Sequence, residues 1–275
     1  MHVQTIIPRG VDAPLAVAWL DLPGNAMDRP ARVFLHGLGS SSIATVPRHA
    51  RERAQDAPRS LLVDAPGFGH SRDALPSWGF TIEEQAGVIA AVLRELEIGP
   101  ATIIGHSMGG SIAIALASRH PEVVSSLIVA EPNLDPGTGT LSAHIASQTE
   151  HDFLARGYDR LVHVTARQAQ RAEGNAASFL PTLRQALPAA MYRASVSLLA
   201  NRAPTFRDQL LAIGSRIPTT FLYGSHTPGL TGLDALASAG VTVVEIPDAG
   251  HVMMDDNPAA FFTQIRAAED RAAMQ

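Results

Sequence analysis

The chain has 275 residues, with 21 basic side chains, all arginine, against 26 acidic ones, a formal net charge of -5, 46% hydrophobic residues and no cysteine. That apolar content supports a large buried core and excludes a disordered chain, while the lack of cysteine excludes disulfides, thiolate nucleophiles and Cys-ligated zinc or iron–sulfur clusters. A mildly acidic chain without a long basic run lacks the electrostatic footprint of nucleic-acid binding, so the expected partner is a small molecule.

Residues 1–9 show no charged segment leading into an apolar run, and no stretch approaches eighteen uninterrupted apolar residues. Neither a secretory leader nor a membrane span is therefore expected, and the expected compartment is the cytoplasm. Two runs at 3–8 and 13–22, separated by Arg9-Gly10-Val11-Asp12, read as an antiparallel hairpin at a sheet edge. Short runs rich in Val, Ile and Leu follow at 31–35, 60–63, 102–104, 126–130, 219–223 and 241–246. Their near-continuous apolarity suits strands covered on both faces, and glycine turns followed by helical spacing mark β-α-β units on a mostly parallel sheet. Thr81, Glu84 and the recurrence of Ile82, Ile89, Leu93 and Leu96 predict a helix opened by a capping box and ended at Gly99-Pro100. Residues 258–268 predict a terminal helix packed back on the sheet, with Phe261, Phe262 and Ile265 on one face.

Strand runs disappear between 136 and 204, where the pattern reads as short helices at 141–156, 158–172, 176–186 and 189–199. The expected organisation is a core of 1–135 and 205–275 with a helical lid inserted at 136–204, on the side where strand C-termini form a ligand crevice. Leu141, Phe153, Leu154, Leu161, Phe179, Leu180, Met191, Leu198 and Leu199 are candidates to line an apolar pocket there, although helical spacing makes most of them core between lid and sheet.

The strongest chemical signal is Gly105-His106-Ser107-Met108-Gly109-Gly110, a G-x-S-x-G between a predicted strand and a predicted helix. A turn this tight forces its central residue into strained geometry, so glycines flank it while the serine hydroxyl stands exposed above the sheet. Serine is a poor nucleophile without a base, and His251, after Pro247-Asp248-Ala249-Gly250 at the end of the last strand, is placed to reach it. His36 and His106, inside glycine turns, suit structural hydrogen bonds, and His144, His151 and His163 fall in the lid as surface or pocket-lining residues. None of these histidines forms an H-x-x-x-H pair or a carboxylate-flanked cluster, so no metal is expected, and no G-x-G-x-x-G points to a nicotinamide or flavin cofactor.

These motifs resemble the α/β-hydrolase superfamily of the lidded, esterase- or lipase-like kind: His36-Gly37-Leu38-Gly39, then Asp64-Ala65-Pro66-Gly67-Phe68-Gly69-His70-Ser71, the Ser107 elbow and Gly250-His251, in that order. The resemblance implies an eight-stranded sheet flanked by helices and an oxyanion hole made by the backbone N–H groups of Leu38 and Met108. It implies a shaping role for the Asp64 turn. Most of the superfamily carries its triad acid after the strand at 219–223, but the loop here is Gly224-Ser225-His226-Thr227-Pro228, without a carboxylate. By the same resemblance, some lineages place the acid at the end of the preceding strand, where this chain has Glu131. A carboxylate delivered by an apolar strand is costly unless paired, and an imidazole that becomes cationic during turnover would pair it. Asp135 and Asp234 are rival acids; Asp248 lies too close to His251 to orient it easily, and Asp255 lies in a segment that resembles the family's helix-capping acidic position.

Ser107 as nucleophile, His251 as base and Glu131 as acid imply acyl transfer to water, on a small, largely apolar carboxylic ester or lactone. Amide or carbon–carbon bond hydrolysis on the same triad is the alternative, and a hydrolase-like ligand sensor with little turnover is a reading from another class.

Overall fold

The computed structural model describes residues 3–8, 15–49, 57–73 and 77–274. Eight strands, β1 (Val3–Ile6), β2 (Val17–Leu22), β3 (Arg32–Leu35), β4 (Ser60–Val63), β5 (Ala101–His106), β6 (Val124–Ala130), β7 (Thr219–Gly224) and β8 (Thr242–Ile246), form one sheet in the order β1-β2-β4-β3-β5-β6-β7-β8. Every pairing from β4 across to β8 is parallel, whereas β2 runs antiparallel to both its neighbours. The expected edge hairpin therefore pairs as β1 with β2, from Val3 opposite Leu20 to Ile6 opposite Val17; its turn at 9–14 lies outside the described residues.

Alternation along each strand divides the core into two layers. Val33, Leu35, Leu61, Val63 and Ile103 pack with the helices Ile82–Glu95, Met108–Arg119 and Phe206–Gly214. Phe34, Leu62, Ile104 and Ile128 face Phe261, Phe262 and Ile265 of the terminal helix Pro258–Ala273. Covering on both faces is what their continuous apolarity required. Thr81 caps the first of these helices as expected: its hydroxyl accepts from the Glu84 N–H, and the Glu84 carboxylate accepts from the Thr81 N–H at 2.9 Å. The terminal helix is fixed to the sheet by a buried fork, Arg32 Nε and Nη2 donating to the two Glu269 oxygens at 2.5 and 2.6 Å.

Between β6 and Phe206–Gly214 the described elements are all helical, chiefly Thr140–Ala146, Tyr158–Gln170, Ala176–Leu183 and Pro188–Ala200, with a π-turn at Phe153–Gly157. Residues of these helices line one cavity together with Ser107 and the carboxyl ends of β3 and β5. Of the apolar candidates, Leu141, Leu161, Phe179 and Leu198 border that cavity. Phe153 and Met191 are fully buried core, and Leu154 points into solvent. The division follows from helix geometry, since neighbouring positions on one helix face different ways.

Candidate active site

Ser107 stands between β5 and the helix Met108–Arg119 with φ +52° and ψ -119°, a left-handed conformation costing on the order of 1–3 kcal/mol for a non-glycine residue. The flanking glycines are required sterically: a Cβ on Gly105 would lie 2.3 Å from the Gly109 carbonyl oxygen, and one on Gly109 would lie 2.2 Å from that of Leu35. The Ser107 N–H donates to the Ala130 carbonyl at 2.9 Å, pinning the turn to the end of β6. Met108 opens its helix, so its N–H has no intrahelical partner by geometry alone. The close approach of Gly109 to the end of β3 brings that helix start beside the loop carrying Leu38, which borders the same cavity as Ser107.

One residue beyond β6 the chain turns left-handed again, at Glu131 with φ +44°. Its N–H donates to the Leu222 carbonyl at 3.1 Å, which aims the side chain at the end of β7. There Glu131 Oε1 accepts from the Gly224 N–H at 2.9 Å and Oε2 meets His251 Nδ1 at 2.7 Å. A carboxylate accepts only, so Nδ1 carries the proton and Nε2 is left as the basic nitrogen. Burial opposes the charge on Glu131, yet the bonds from His251 and Gly224 hold its carboxyl below the usual glutamate range. The carboxylate side chain is 4% exposed and the imidazole 50%, a carboxylate sealed behind an imidazole that borders the cavity.

Asp135 takes a two-point bond from Arg207, at 2.7 Å on each oxygen, and the guanidinium holds its carboxyl low. Asp234 and Asp248 are exposed. Asp255 does not cap the terminal helix, because Asn257 does, its side chain accepting from the Ala260 N–H. Instead Asp255 bonds His49 Nε2 at 3.0 Å and the Ser178 hydroxyl at 2.9 Å, joining the strand-end loops to the insertion helix Ala176–Leu183. Next to it, Asp256 accepts from the Gly250 N–H at 2.9 Å and from Asn175 at 3.2 Å, so the base-bearing loop is tied to the insertion as well. Asp256 and His49 lie in no local motif, and only the proximity of Asp256 to His251 in sequence could have marked either.

Asp64 shapes its turn, fully buried, accepting from the Ser41 hydroxyl at 2.9 Å on both oxygens, from the His70 N–H at 2.9 Å and from Ile43 N–H at 3.2 Å. His36 is structural too: its Nε2 accepts from the Ala65 N–H at 3.0 Å, so Nδ1 donates to the Gly37 carbonyl at 2.8 Å. His144, His151 and His163 are exposed and stand away from the cavity lining. Among the described residues no three His, Asp or Glu side chains gather as they would around a metal ion, and no helix is long and apolar enough to cross a membrane.

The cavity above Ser107 and His251 has a volume of about 950 Å³. Its charged lining is acidic, Glu131, Glu173 and Asp255, and among the described residues no arginine borders it.

A family model described as the alpha/beta hydrolase family matches residues 33–264. An sn-1-specific diacylglycerol lipase of Mus musculus is 28% identical over 281 residues, covering 92% of this chain and 84% of that protein. A 2-hydroxy-6-oxononadienedioate/2-hydroxy-6-oxononatrienedioate hydrolase of Burkholderia vietnamiensis is 38% identical over 122 residues, 44% of this chain and 41% of its own length. Among solved structures, a thermophilic esterase from Thermogutta terrifontis superposes with a TM-score of 0.76 at 21% identity, over 99% of both chains. With the family model running from β3 into the terminal helix, the chain belongs to the alpha/beta hydrolase family.

Proposed function

We propose that the protein is a serine hydrolase that cleaves small, uncharged, largely apolar carboxylic esters or lactones through an acyl-enzyme. The observation that carries this reading is the 2.7 Å bond between His251 Nδ1 and Glu131 Oε2, beside the strained Ser107 turn on one shared cavity. In this reading His251 Nε2 takes the Ser107 Oγ proton as the hydroxyl attacks the carbonyl carbon. The tetrahedral oxyanion is held by the Leu38 and Met108 N–H groups, where one such donor is worth about 2.7–4 kcal/mol. The imidazolium, its charge met by Glu131, then protonates the leaving alkoxide. Water enters, gives its proton to His251, and the second collapse frees the acid and restores Ser107. The insertion acts as a lid that shapes the acyl site.

The lining supports the uncharged part of the proposal. Phe179, Leu141, Leu161 and Leu198 offer apolar surface, while a carboxylate on the substrate would meet Glu173 and Asp255 with no arginine among the described lining residues to pair it. Carbon–carbon hydrolysis is the second reading, favoured by the 38% identical stretch shared with the dienedioate hydrolase. The substrate named for that relative is a dicarboxylate, which the lining disfavours.

A chromogenic ester series tests both parts. Short and medium acyl esters turn over with wild type and not with folded Ser107→Ala. A half-ester ending in a carboxylate reacts at least about tenfold more slowly than its uncharged analogue of equal length, in kcat/KM. Full activity in Ser107→Ala would remove the mechanism, and equal rates on the two esters would remove the charge preference.

A further inference from the structure

His106 occupies the variable position just before the nucleophile, and the mechanism above gives it no part. Its surroundings are specific. His106 Nε2 lies 2.8 Å from the His251 carbonyl oxygen, and the two imidazole rings stand 4.8 Å apart at 47°. A carbonyl only accepts, so Nε2 carries the proton and donates. Burial, reinforced by the neighbouring His251, pushes the His106 imidazole down to about 3, so the ring is neutral and its Nδ1 bears a lone pair. That nitrogen faces the oxyanion loop closely: a Cβ on Gly37 would stand 3.1 Å from it and 3.4 Å from Ser107 Cβ.

We infer that His106 is the positioning residue that sets His251 over Ser107, a role that rests on the proposed triad. The ring is wedged between the oxyanion loop and the base loop, and it is covalently adjacent to the nucleophile. Glu131 fixes His251 through the side chain, and His106 fixes it through the main chain at the same residue. Two anchors on one residue define both the orientation of the imidazole and its height above the strand ends. One anchor alone leaves the loop free to tilt about the Glu131 bond, and a misplacement of about 1 Å at a reacting group costs on the order of 100-fold in rate. Neutrality belongs to the same role, because a cation 4.8 Å from His251 would oppose formation of the imidazolium.

The test compares His106→Phe, which keeps a ring and loses the donor, with His106→Gln, which keeps a donor. Two readouts are taken: kcat and KM on an uncharged chromogenic ester, and the rate at which a fluorophosphonate probe labels Ser107. His106→Phe is expected to lose about 10- to 100-fold in kcat and in labelling rate, with KM changed less than about threefold. His106→Gln is expected to recover most of both. Unchanged labelling in a folded His106→Phe protein, or a loss confined to KM or to thermal stability, would overturn the positioning role. Failure of the probe to label wild type, or labelling that persists in Ser107→Ala, would instead overturn the triad on which the inference rests.

Discussion

The two walls of the cavity are built in different ways. On the sheet side, Ser107, Glu131 and His251 sit at the ends of β5, β6 and just after β8, and each is held by backbone or side-chain bonds within about 3 Å. On the insertion side, Leu141, Leu161, Phe179 and Leu198 come from four separate helices. Polar staples tie that wall to the loops opposite, Ser178 to Asp255, Asn175 to Asp256 and the Leu187 N–H to the Gly67 carbonyl among them. In the proposed reading, rigid strand ends carry the chemistry and the helical wall sets what fits against it.

The largest expected effect breaks the rigid side. Glu131→Gln replaces an acceptor-only carboxylate with an amide that can turn its N–H₂ toward Nδ1 and invert the imidazole tautomer. The expected loss in kcat is about 10²- to 10⁴-fold with a folded protein, read on the same ester. Retention of full rate would reopen the acid assignment. Glu269→Ala removes one half of the buried fork and strands the Arg32 charge beneath the terminal helix, so urea unfolding is expected to show a loss of about 3–5 kcal/mol. A loss below about 1 kcal/mol would mean that the helix is held by apolar packing alone.

Acid sharpens the comparison. The folded-state pKa of His106 lies near 3, below its ordinary value of 6.5, so its contribution to stability is complete above 6.5 and is lost as pH falls through that interval. One proton taken up on unfolding corresponds to at most about 1.4 kcal/mol per pH unit. Glu131 and Asp64, also held low, add to the loss only at lower pH, below their ordinary values of 4.5 and 3.8. His106→Gln is expected to flatten the wild-type slope between pH 6 and 5, and an unchanged slope would contradict a neutral ring.

The smallest expected effect falls on the insertion wall. Phe179→Ala opens space beside Gly39 and Met191, and is expected to shift the kcat/KM ratio of longer to shorter acyl esters by roughly tenfold toward the longer. No change in that ratio would place the acyl group elsewhere in the cavity.

The candidate strand-end site is legible in sequence because it is written in local punctuation. Gly105 and Gly109 around Ser107 have a steric reason visible in five residues. Glu131 becomes a candidate acid from two facts read together, a strand that ends in an acid and a loop after β7 that lacks one. What sequence did not disclose is partnership across the fold. Arg32 and Glu269 are 237 residues apart, and nothing near either names the other. The bond from His106 to the His251 carbonyl, like that from the Gly224 N–H to Glu131, uses main-chain atoms, which leave no trace in residue identity. Asp255, read as a helix cap, becomes a bridge between His49 and Ser178 because the insertion folds down onto it.

The most direct measurement is the site of acylation. Wild-type protein is mixed with an excess of uncharged chromogenic ester, quenched in acid during turnover, and mapped by peptide mass spectrometry. An acyl group on Ser107, absent from the Ser107→Ala protein, is the predicted result. Turnover with acyl found on another residue, or sustained by Ser107→Ala, would contradict a serine hydrolase built on Ser107, His251 and Glu131.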